Sequence, residues 1–150
     1  MGAVTFPQQE VIRFINKNLI PVRVAFNDAP LATDFGVKWT PTLINLDKNG
    51  KEHHRTVGFL PPDEFIPSLI LGLAKECFNQ DNYAAALEKL QELLSAYLHC
   101  DAAPEAVYLR GVSLYKQTGA AGHLKKAYET LAKDFPDNEW TKRAYPYRLL

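Results

Sequence analysis

The 150-residue sequence contains only two cysteines, Cys77 and Cys100. They lie far apart in segments of helical pattern, so they read as reduced, small apolar side chains rather than a disulfide. The chain also lacks an excess of either charge: 17 basic residues face 17 acidic ones, and the net charge is zero. No long-range field draws it to nucleic acid or to an anionic membrane. It lacks an apolar run near the ~20 residues of a membrane span. The longest, "IPSLILGLA" from Ile66 to Ala74, sits among charged residues at helical spacing. The start "MGAVTFPQQEVIRF" has neither the basic opening nor the apolar centre of a secretory leader, so the chain as written is expected in the cytoplasm. Glycine-rich phosphate loops and Gly-x-Ser-x-Gly elbows are missing, and the carboxylates are scattered. No catalytic residue, cofactor or metal site is therefore assigned.

What is present is a globular composition, 47% apolar. The first half alternates helical and strand patterns. "QQEVIRFINKNL" carries Val11, Ile12, Phe14, Ile15 and Leu19 mostly on one helical face. "IPVRVAF", Ile20 to Phe26, is short, apolar and β-branched, which predicts a strand. Ala29 to Phe35 predicts a short helix ended by Gly36. "TLINLD" and "KEHHRTVGF" predict two strands joined by a tight Lys48-Asn49-Gly50 turn. His53, His54 and Arg55 are expected as exposed polar residues on an edge hairpin. Strand alternation would point the two histidines to opposite faces, away from any common metal. Pro61 and Pro62 open a long helix through Phe78, with Pro67 as a penalty near its start.

From Leu69 onward the pattern is helical throughout. "NYAAALEKLQELL" and "GHLKKAYETLAKDF" share a frame, with Ala86 matching Ala127 and Leu90 matching Leu131. Each follows a helix that carries a small residue, Ala74 or Gly111. Small residues let helices approach and large ones fill the gaps, the pattern of stacked helical hairpins. A plain helical bundle is the alternative.

Residues 1–72 resemble the thioredoxin-like superfamily, in its bacterial thiol-disulfide oxidoreductase branch. The resemblance rests on "AVTFPQQEVIRFINKNLIPVRV", "FGVKWTPTLINLDKNGKE" and "VGFLPPDEFIPSL". It implies a cis Thr40–Pro41 bond and an exposed peptide-binding ledge at Trp39, Thr40 and Pro41; packing beneath the loop is the alternative for Trp39. The family's Cys-x-x-Cys and the strand before it would fall upstream of Met1. Residues 73–150 resemble tetratricopeptide-like repeats, which implies a partner groove at Tyr108, Val112 and Tyr115, with core packing as the alternative. The expected fold is α/β plus all-α: an incomplete thioredoxin-like sheet of about three strands, then a stack of helical hairpins. The expected function is a redox-silent module that binds a protein or an extended peptide. The alternatives are a truncated form of an active oxidoreductase and a structural adaptor. The missing strand would lie between "IPVRVAF" and "PTLINLD". Its loss predicts either closure of those two segments onto each other or, preferentially, a homodimer through the exposed sheet edge.

Overall fold

The computed structural model describes residues 1–150, the Ala29 side chain excepted. Helix α1 (Gln9–Asn18) has Glu10 in its first turn and Lys17 in its last, both favourable to the helix dipole. It buries Val11 completely and lays Phe14 and Ile15 against the core. Helix α2 (Ala29–Asp34) starts with a proline in its first turn and is released at Gly36, whose φ is 58°. Strands β1 (Thr42–Leu46) and β2 (Glu52–Val57) form an antiparallel pair. Their turn is held by the Asp47 carboxylate, which accepts from the Asn49 and Lys51 N–H groups.

Four long helices follow: α3 (Pro62–Asn79), α4 (Tyr83–Ala96), α5 (Ala103–Thr118) and α6 (Gly122–Asp134). The short helix α7 (Glu139–Ala144) and a 3-10 turn at Tyr145–Leu149 complete the chain. Pro62 opens α3, and Pro67 comes early enough that the helix forgoes only one early hydrogen bond. Asn82 caps α4 and Asn138 caps α7 through their side-chain oxygens. Gly119, with φ 73°, ends α5.

Each long helix packs on the next. Gly111 is what brings α5 and α6 together: a Cβ there would lie 2.4 Å from the Ala127 Cβ. Ala74, Ala86, Leu90 and Leu131 are each completely buried, so the small and large residues of the shared frame all face the interior. Helix α3 crosses the expected boundary at residues 72/73 without a break. It also crosses the sheet, where Gly72 makes room for the Asn45 side chain. One core cluster joins Val11, Phe65, Ile70, Leu90, Leu93 and Leu131.

The sheet has two strands, not about three. Ile20 to Ala25 forms no strand and Phe26 enters a turn, with Ile20 93% and Val22 79% exposed. Among the described residues, no backbone N–H from 20 to 26 meets a backbone acceptor. β-Branched composition favours an extended chain, but a strand exists only beside another edge. β1 pairs with β2 along one edge and its other edge stays open, so the expected closure of this segment onto β1 does not occur.

The histidines also differ from expectation. His53 is only 7% exposed and His54 is half-buried; both reach α3. A register shift between Asn45 and Leu46 leaves His53 as an extra residue on β2. Such a bulge breaks the two-residue alternation and re-aims one side chain. Both rings therefore turn toward the helix that covers the sheet.

Candidate functional site

The turn between α2 and β1 carries the candidate ledge. Trp39 is 69% exposed, Thr40 is exposed and Pro41 is half-buried, and the Thr40–Pro41 peptide bond is cis. The backbone around them is fixed. The Thr42 hydroxyl donates to the Trp39 carbonyl at 2.7 Å, and the Gly58 N–H donates to the Pro41 carbonyl at 2.8 Å. Arg55 reaches back from β2 and donates to the Phe35 carbonyl at 2.6 Å while paired with Glu52. That bond ties the end of α2 to the hairpin and positions the ledge. The Arg55 guanidinium in turn holds the Glu52 carboxyl below the usual range. Among the described residues, the Thr40 N–H and carbonyl have no backbone partner. Val57 and Phe59 flank the Gly58 contact and are each 54% exposed. The site is thus a rigid apolar shoulder with one residue's backbone polar groups open to a ligand.

Behind the sheet lies a closed polar network. The Lys75 ammonium donates to His54 Nδ1 at 3.4 Å and pairs with Glu105 at 2.8 Å. His54 must then carry its proton on Nε2, which faces Ser68 Oγ at 3.3 Å. A histidine that donates to a serine cannot take its proton, so Ser68 is not an activated nucleophile. Burial first, and the Lys75 charge second, push His54 down to about 4. His53 donates to Asp47 and accepts from Asn79. All four ring nitrogens are thereby engaged within the protein.

Neither cysteine is a member of this network. Cys77 is half-buried near the end of α3 and Cys100 is buried before α5, and both are free thiols. Burial pushes each thiol above its ordinary value. A thiol raised this way has little of the thiolate that disulfide exchange requires.

On α5, Tyr108 and Val112 are half-buried and Tyr115 is 37% exposed. Tyr108 is half-buried beneath two aromatic neighbours. Its ring lies 5.1 Å from Trp140 and 6.0 Å from Tyr147. The ledge and the α5 face are separate places on the molecule. Sequence reasoning named both sets but missed Arg55, Trp140 and Tyr147, whose roles are long-range contacts with no local pattern.

Residues 2–71 match the thioredoxin-like domain family. The match covers the ledge and stops inside α3, so α4 to α7 lie outside it. No curated protein and no solved structure matches the chain.

A pH dependence follows from His54. Its folded value is about 4 against an ordinary 6.5, so the folded state holds it neutral. Between these values the unfolded chain binds a proton that the folded chain refuses. Its contribution is complete above pH ~6.5 and falls by up to about 3 kcal/mol toward pH ~4. Asp47 and Glu52, whose carboxyls are lowered by their partners, add acid sensitivity below that window. Urea unfolding at several pH values should show a slope between pH ~6.5 and ~4 that flattens in His54→Gln. An equal slope in both proteins would show that His54 is not the titrating group.

Proposed function

We propose that the chain is a redox-silent protein-interaction module that holds an extended peptide on the ledge at Trp39, Thr40 and Pro41. The observation that carries this reading is the open backbone of Thr40 beside the exposed Trp39 ring, on a turn that Arg55 holds rigid. Main-chain pairing supplies sequence-tolerant affinity, and the apolar shoulder selects a large side chain at one position. Redox silence is supported by the wide separation of Cys77 and Cys100 and by their raised thiols. The helices from α3 onward are read as tetratricopeptide-like hairpins, supported by the repeated small-large packing and by Gly111 against Ala127.

The test is a peptide selected from an unstructured library on the immobilised chain. Trp39→Ala should weaken its binding by about ten-fold, the loss expected for one aromatic anchor, with the melting temperature unchanged. Unaltered affinity would remove the ledge from the reading.

A second reading is favoured by one observation: Ile20, Val22, Val24 and Phe26 are all exposed on a segment that pairs with no strand. Two copies pairing through that edge would satisfy its backbone and cover these residues. Light scattering should then give a dimer mass that reverts to monomer in Val22→Lys. A monomer mass across a wide concentration range in the parent chain retires this reading.

A further inference from the structure

We propose that Tyr145–Leu150 is an internal ligand, seated on an aromatic face of α5 and α6 that takes in exchange a partner's peptide of the same chemistry: a tyrosine followed by a basic residue and leucine. The inference goes beyond the ledge reading and does not depend on it: Tyr108, covered by Trp140 and Tyr147, faces a partner only when this segment lifts.

The face is built from Tyr108 on α5 and Tyr128 on α6. Trp140 walls one side of it, 5.1 Å from the Tyr108 ring centre. The segment lies across both tyrosines. Tyr147 stacks on Tyr108 at 6.0 Å and 22°, and their hydroxyls lie 3.0 Å apart. Tyr145 meets Tyr128 edge-on at 6.1 Å. The Lys125 ammonium donates to the Leu150 carbonyl at 2.7 Å. Within the segment, the Arg148 guanidinium covers the Tyr145 ring at 3.6 Å, which shapes it for this seat.

The hold is weak in comparison with what precedes it. α7 is anchored: Ala144 is completely buried, and the Thr141 hydroxyl donates to the Phe135 carbonyl at 2.6 Å. The turn that follows contains no buried residue, and Leu149 is 78% exposed. The chain can therefore lift after Ala144 and leave the wall at Trp140 in place. Lifting uncovers two tyrosine rings and a lysine. A replacement must stack an aromatic ring on Tyr108 and offer Lys125 an oxygen. Burial and the Tyr108 hydroxyl push Tyr147 up to about 12, so the Tyr147 hydroxyl keeps its proton near neutrality.

The test uses the full chain carrying Trp39→Phe, which leaves Trp140 as the only tryptophan of the two. The probe is the acetylated peptide Tyr-Pro-Tyr-Arg-Leu-Leu, titrated while Trp140 fluorescence is read. Adding Tyr147→Ala should tighten peptide binding by about ten-fold, because the resident competitor loses its stacking contact. Tyr147→Phe keeps the ring and removes the hydroxyl pair, and should give a smaller gain. It carries the test should the alanine variant fail to fold. Tyr108→Ala should abolish binding in every background. Equal affinity with and without the Tyr147 substitutions overturns the proposal, as does binding that survives Tyr108→Ala. Because the ledge is probed at Trp39, failure here leaves the ledge reading standing, and failure of the ledge test leaves this result intact.

Discussion

Everything in this structure is organised around the burial of one helix. From Phe65 to Ala74, α3 is covered on nearly every side, by β1 and β2 over one face, by α1 near its start and by α4 along its length. Fully burying a large apolar side chain contributes roughly 1.5–3 kcal/mol. Phe65, Ile66, Leu69, Ile70 and Leu71 supply several such contributions in succession. A two-stranded sheet is too small to be stable alone. Here it survives because Gly72 admits Asn45 and because Ser68 and Lys75 engage His54. The bridge from Lys75 to Glu105 carries the same connection on to α5.

Such a scaffold separates what is rigid from what is available. The ledge is rigid since Arg55, Thr42 and Gly58 occupy the carbonyls around it. Its ligand would meet a preformed surface and lose little entropy in ordering it. The segment from Ile20 to Phe26 and the turn after Ala144 are the opposite case, since each exposes large apolar residues. The buried polar groups fit this division: His53 and His54 join elements to each other, and their nitrogens are used up in doing so.

The helical half was legible because its signals are local. Pro104 near the start of α5, Gly119 at its end and the Ala86/Ala127 frame each act within a turn or a neighbouring helix. The hairpin was legible through Asn49-Gly50 for the same reason. Two expectations in the first half went wrong for non-local reasons. Ile20–Phe26 has strand composition, yet pairing depends on an edge contributed from elsewhere in the fold. The histidines were read through strict alternation, which the bulge at His53 cancels. On the candidate site, the expectation of a ledge at Trp39, Thr40 and Pro41 came from the family resemblance and not from a local pattern. Nothing local marked Arg55 as their tie or Tyr147 as the cover on Tyr108, since these contacts join residues far apart in sequence.

The central claim is that α3 makes the sheet and the helical stack one cooperative unit. Hydrogen exchange measured with increasing urea tests it most directly, by comparing the amides of β2, of both ends of α3 and of α5. The account predicts that all of them converge on a single unfolding free energy and a single urea dependence. A β2 hairpin that opens with its own lower free energy while α5 stays protected up to the global transition would contradict it.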